Sequence, residues 1–229
     1  MALSKLFLLV AVIALSTAAG CGMPHLLYGK RVAGQVVDAE TGEPIAGAHV
    51  ALLWEAGIIP TGFTGHNSRD ICFHAAATTT DAQGHFDIPG WWKWKTYNVD
   101  NVDPFVLVYT SNYVPLQTFV EPAADRRPTE HVSERYVLKR FSGNADQRLE
   151  MLFWGLANRG CDYGGESQKS LFPMLRAIHA EARQLARTDK QLATVRIIAE
   201  LAADAGLAVD LEKATDDAKA KAFIQEHLK

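Results

Sequence analysis

An α+β chain is expected: a seven-stranded antiparallel Greek-key β-sandwich over residues 31–141, followed by a helical extension of three to four helices over 142–229. Three observations predict it. Between 31 and 140 apolar residues recur at every second position in short runs, and turn formers separate those runs. From Asn144 onward the apolar period lengthens to that of a helix. Hydrophobic residues make up 48% of the 229, enough for a core and too many for a disordered chain.

The strands read as 31–38, 48–54, 73–80, 85–88, 105–110, 115–120 and 133–140. The first is expected to form an opening hairpin with the second. Val32, Gly34 and Val36 share one face of an extended segment, because side chains alternate. Asp38 to Pro44 has no apolar period; Gly42 can take a positive φ and Pro44 offers no N–H. Ala48, Val50, Leu52 and Trp54 then alternate with His49, Ala51 and Leu53. A second turn at 80–86 follows the same logic, with Asp81 bonding its own backbone and Gly84 in the left-handed position. If successive strands run up and down, the compact connections 39–47, 81–84 and 111–114 share one end. The long ones, 55–72, 89–104 and 121–132, share the other, where the first strand begins.

In the extension, Asn144 with Gln147 resembles a capping box, and Leu149, Leu152, Phe153 and Leu156 form one stripe. A second helix starts near Ser167 or Ser170 and carries Leu171, Leu175, Ile178, Ala182 and Leu185, with Pro173 tolerable in its first turn. Thr188 with Gln191 marks a third cap, before Leu192, Val195, Ile198, Leu201 and Ala205. A last helix is expected at 211–228. The stripes predict helices that pack on one another or on the sandwich.

The segments GQVVDAETGEPIAGAHV and TTTDAQGHFDIPG resemble the carboxypeptidase regulatory-like domain, a transthyretin-like sandwich. SNYVPLQTFV is similar to that family's later strand, and Tyr136-Val137-Leu138 to its closing one. The resemblance covers Lys30 to Arg140. It implies a module that is usually non-catalytic, an accessory or surface-presentation unit. A hydroxyisourate hydrolase of the same fold is set aside, because Val32-Ala33-Gly34 and His227-Leu228-Lys229 stand where its strand histidine and C-terminal Tyr-Arg-Gly-Ser belong.

Residues 1–20 read as a signal peptide: Lys5 is followed by an apolar run from Leu6 to Leu15, short for a bilayer span. Ala19-Gly20-Cys21 resembles a bacterial lipobox, with Ala18 where Leu is usual. Cleavage before Cys21 and its lipidation are expected; ordinary secretory cleavage is the alternative. Gly22 is not the Asp that marks inner-membrane retention, which points to the outer membrane, periplasmic side. Residues 21–30 are then a tether that holds the sandwich near the leaflet.

Three Trp and a Tyr crowd the 89–104 connection, at Trp91, Trp92, Trp94 and Tyr97. Such aromatics suit core cover, a bilayer interface, a protein partner or a glycan platform. With Cys21 lipidated, Cys72 and Cys161 remain as a disulfide pair in an oxidising compartment, with two independent buried thiols as the alternative. A helix of ~16 residues from Asn144 runs roughly 24 Å and would return Cys161 toward Cys72. His66, Arg69, Asp70, Cys72, His74 and His85 include metal-ligand types, but their spacing follows no zinc pattern, and Cys161 with His179 lacks an oxyanion setting. No metal, cofactor or catalytic residue is expected, and the chain is expected not to be an enzyme. A net charge of −3 without a basic cluster gives no nucleic-acid footprint. The expected role is a non-catalytic envelope lipoprotein that binds a protein partner. The alternative is a small-ligand or glycan binder that uses the 91–97 loop.

Overall fold

The computed structural model describes residues 25–58, 69–95, 104–120, 132–157 and 166–204. Among them run nine strands: β1 (His25–Gly29), β2 (Val32–Asp38), β3 (His49–Ile58), β4 (Arg69–Thr79), β5 (His85–Ile88), β6 (Trp91–Lys95), β7 (Pro104–Tyr109), β8 (Leu116–Phe119) and β9 (Val132–Leu138). The helices follow: α1 (Ala145–Ala157), a 3-10 helix η1 (Glu166–Leu171), α2 (Phe172–Leu185) and α3 (Asp189–Asp204). The chain is thus a mixed α+β protein in which a sheet region precedes a helical region.

Several expectations are corrected. There are nine strands among the described residues, not seven, because part of the tether and part of the aromatic loop pair with each other as β1 and β6. The sheets are not wholly antiparallel: β2 pairs with β5 antiparallel but with β9 parallel, Val32 opposite Val132. The opening hairpin is an arch. β2 belongs to a three-stranded sheet, β5-β2-β9, and β3 to a four-stranded one, β4-β3-β7-β8. Only a Val37–Pro44 bridge joins the two arms of the turn itself. The fourth expected helix, at 211–228, lies outside the described residues.

The turn chemistry accounts for the compact end. Gly42 and Gly84 take φ of 70° and 71°, a region costly for residues with a Cβ. Asp81 Oδ1 accepts from the backbone N–H groups of Gln83 and His85 at 2.9 and 2.8 Å. Both capping boxes close reciprocally: Gln147 N–H donates to Asn144 Oδ1 at 2.9 Å, and Gln191 N–H to Thr188 Oγ1 at 3.3 Å.

Three layers result. Alternate residues of β3 and β7, such as Val50, Leu52, Val106 and Val108, face β2, β5 and β9 across the inter-sheet core with Val36, Phe86 and Tyr136. The opposite row, Ala51, Leu53, Phe105, Leu107 and Tyr109, packs against Leu149, Leu152, Leu175, Ile178 and Val195 of the helices. The helical stripes therefore close on the sheet as well as on each other. Strands covered on both faces read as continuous apolar runs, which is why Phe105 to Tyr109 is buried throughout.

One buried polar network crosses the layers. Arg148 of α1 has a side chain 2% exposed; its Nε donates to Glu181 Oε1 of α2 at 2.8 Å and its Nη2 to Oε2 at 3.1 Å. Arg148 Nη1 also donates to the Tyr113 carbonyl, and Tyr109 OH donates to Glu181 Oε2 at 2.6 Å. Tyr113 OH in turn donates to Asp38 Oδ2 at 2.7 Å, where Arg140 Nε donates at 2.9 Å. The backbone N–H groups of Glu40 and Thr41 donate to Asp38 Oδ1. The Tyr113 hydroxyl, the Thr41 and Glu40 amides and the Arg140 charge hold the Asp38 carboxyl down at about 2, from an ordinary 3.8.

Two expected outcomes follow from this network. Arg148→Met leaves Glu181 buried without its cation and should lower unfolding free energy by about 3–5 kcal/mol in urea titration. The double variant Arg148→Met/Glu181→Leu should lose less than the single one, and an equal or larger loss would contradict the ion-pair account. Asp38 has a folded pKa below its unfolded one, so its contribution is present above about pH 4 and is lost as pH falls through about 2. Thermal melts should show a steep acid limb in that window for the native chain and a flatter one for Asp38→Asn.

Candidate functional site

The unusual chemistry gathers on the β1–β6 ribbon, at the end of the sandwich where β2 begins. In its register Tyr28 lies opposite Trp92, Leu27 opposite Lys93, and Gly29 opposite Trp91. Side chains alternate across a strand, so the ribbon has two faces of different kinds. One displays Tyr28, Trp92 and Trp94, which are 45%, 68% and 62% exposed. The other carries Leu27, Trp91 and Lys93 toward the body, and Leu27 joins the inter-sheet core.

The inner face rests on an aromatic cluster. Trp54, 1% exposed at the end of the inward row of β3, meets Trp91 edge to face with ring centroids 5.3 Å apart. His74, opposite Trp54 in the β3–β4 ladder, lies 5.1 Å from Trp54 and 4.3 Å from Trp91. The ladder slips by one residue between Trp54 and Glu55, a bulge that twists the two strands beside the cluster. Gly29 permits this contact: a Cβ there would sit 2.8 Å from Trp54 Cζ2 and overlap Trp91 Nε1. Sequence and packing thus agree on a glycine where the ribbon leaves the sandwich.

Lys93 Nζ lies 3.1 Å from His74 Nδ1. An ammonium can only donate, so Nδ1 accepts and the ring proton resides on Nε2. Burial, and then the Lys93 charge, lower the His74 pKa from 6.5 to about 4. The ring is neutral at pH 7. This pair braces the inner face of the ribbon against β4.

The other sequence-derived candidates fare differently. Trp91 is partly buried and packs against the inter-sheet core, where it braces the ribbon. Trp92 and Trp94 stand on the exposed face, so core cover is overturned for those two. Tyr28 joins them unforeseen; reading the alternation of HLLYG as a strand, not as tether, would have found it. Tyr97, Cys21, Cys161 and His66 lie outside the described residues. Cys72 stands opposite Glu55 in the backbone ladder of β4, but its side chain and the expected bridge to Cys161 also lie outside them. Ser170 Oγ donates to the Ala75 carbonyl at 3.4 Å, so η1 docks on β4. His85 is exposed, with Nδ1 3.9 Å from Asp81. Among the described residues no three His, Cys, Asp or Glu side chains converge.

No family model matches the chain, and no curated protein sequence matches it. Among solved structures it is similar to 3-chlorocatechol 1,2-dioxygenase from Rhodococcus opacus 1CP, at 15% identity and a TM-score of 0.31, over 53% of this chain and 62% of that one. It is similar to catechol 1,2-dioxygenase from Acinetobacter sp. ADP1, at 13% identity and a TM-score of 0.30, over 54% and 55%. A third is the dioxygenase domain of a dioxygenase–carbohydrate-binding fusion from Streptomyces sp. SirexAA-E, at 15% and 0.30, over 54% and 84%. The chain spans less than two thirds of the first two. The expectation that this chain is not an enzyme is corrected by this finding and withdrawn, since these solved structures are of dioxygenases. At TM-scores near 0.3 the likeness assigns it no activity.

The brace is testable in solution. The His74 Cε1–H resonance should titrate with a midpoint of about 4, and Lys93→Met should raise the midpoint while leaving it below 6.5, because burial is the larger cause. A native midpoint at 6.5 would mean an open, solvated ring.

Proposed function

We propose that this chain is a bacterial envelope lipoprotein, anchored through lipid on Cys21 to the periplasmic face of the outer membrane, that serves as a binding and structural module for a protein partner. In this reading residues 31–141 form a carboxypeptidase regulatory-like sandwich. A Greek-key winding is supported by the non-sequential strand neighbours, β2 beside β9 and β3 beside β7.

The observation that carries the reading is how closely the body follows the lipid site. β1 pairs along its length with β6, and Leu27 is buried, so His25 already belongs to the paired body. Only Gly22, Met23 and Pro24 separate it from Cys21. Four Cα steps reach at most ~14 Å. A body held so near a leaflet suits a fixed module that presents its remaining surfaces inward. Exposed apolar positions distant from the ribbon are Val137 on β9 and Ile197 on α3, 49% and 41% exposed.

A second reading, a small-ligand or glycan binder, is favoured by the exposure of Trp92 and Trp94. Aromatic faces stack on apolar sugar faces, but the described part of the ribbon offers them an open surface and not a cleft.

Mass spectrometry of the mature N-terminus should find an acylated cysteine; an unmodified amine there would overturn the anchoring. Photo-reactive residues placed at Val137 and at Ile197 should give a discrete protein adduct in intact envelopes from at least one position. No adduct from either would count against a protein partner on those surfaces.

A further inference from the structure

We infer that the outer face of the β1–β6 ribbon, Tyr28, Trp92 and Trp94, docks on the bilayer interface as a second attachment point, so that the sandwich stands on the membrane in one orientation. This rests on the lipid-anchor reading above and names the surface that the aromatic face meets.

Four observations converge on a lipid surface. The three exposed rings share one side of a two-stranded ribbon, with Tyr28 opposite Trp92 and Trp94 one alternation further on. Trp92 and Trp94 are then ~7 Å apart along the strand, a compact patch. Each ring has an apolar body and one polar tip, the combination that settles at the depth of the headgroups. Neither HLLYG nor WWKWK contains an acidic residue, so no carboxylate of the ribbon opposes anionic headgroups.

The geometry sets the distance. Tyr28 is seven residues beyond Cys21, and β1 runs as a strand from His25. Seven extended residues span at most ~25 Å, so the rings cannot leave the vicinity of the leaflet once the lipid is inserted. Tethering makes the second contact intramolecular, with an effective concentration set by that short span. A weak interfacial affinity is then sufficient to hold the ribbon down.

Rigidity completes the case. Trp54, His74, Trp91 and Lys93 brace the inner side of the ribbon, so the outer rings are presented by a fixed frame. Docking would place the β2 start and the bulge after Trp54 toward the lipid. The network around Asp38 and Arg148, at the other end of β2 and β7, would face away from it.

The test uses the full mature protein, purified with its lipid and reconstituted into phosphatidylethanolamine–phosphatidylglycerol vesicles. Lipids brominated near the headgroup end of the chain should quench Trp emission more than lipids brominated near the terminal methyl. That extra quenching should be lost in Trp92→Phe/Trp94→Phe, while Trp54 and Trp91 report an intact fold. Acrylamide should reach Trp92 and Trp94 less in vesicles than in detergent. Absence of brominated-lipid quenching in protein shown by mass spectrometry to be acylated would overturn the docking and leave the anchor standing. An unacylated N-terminus would overturn the anchor and the docking together. A photo-reactive residue at Trp94 that couples to an envelope protein and not to lipid would assign the face to a protein instead, and emission quenched by soluble oligosaccharide in place of lipid would assign it to a glycan.

Discussion

The ion pair between Arg148 and Glu181 is the constraint on which the layered arrangement turns. A four-stranded sheet covered on both sides has no solvent face of its own, so its outer row must find helices. Apolar stripes bring α1 and α2 there, but stripes tolerate rotation and sliding. The guanidinium removes that freedom by gripping Glu181 on one helix and backbone carbonyls beyond β7 at the same time. Tyr109 adds a strand to the grip, and Tyr113 carries it to Asp38 in the other sheet. An unpaired charge in that seam would be expensive, and the same cost makes alternative helix placements unfavourable.

The two ends of the sandwich are therefore built on different principles. At the Asp38 end, charges and amides are paired and enclosed. At the Trp54 end the cement is aromatic: edge-to-face contacts, a neutral histidine and a lysine that caps it. Aromatic contacts leave the ribbon's far side free to be apolar and open. A ribbon of two strands is marginal alone, so Leu27 in the core and Trp91 packed against it are what hold it to the body.

Much of this was legible from residue order, for identifiable reasons. Seven strands were found because each alternates or carries a turn former at its end, as Gly42, Asp81 and Gly84 do. Both capping boxes were visible because the motif is local. What escaped depends on partners distant in sequence. β1 and β6 are short, carry glycine or lysine, and exist only because they find each other. The parallel pairing of β2 with β9 leaves no local mark, since either neighbour is compatible with Val32-x-Gly34-x-Val36. Likewise Trp91 and Trp92 are adjacent and identical in kind; only the pleat decides which is brace and which is display. Nothing local marks Arg148 as buried, because burial of its charge depends on Glu181, thirty-three positions later.

The parallel β2–β9 pairing has a kinetic consequence. Val32 meets Val132, and the seven paired positions all join residues a hundred apart. An early strand must wait for a late one, so the three-stranded sheet closes only after nearly the whole sandwich has emerged. Loop-closure entropy and high contact order make that step slow. A chain emerging N-terminus first would spend that interval with β2 bonded to β5 alone and its other edge bare. That bare edge is where a chaperone would have to hold it.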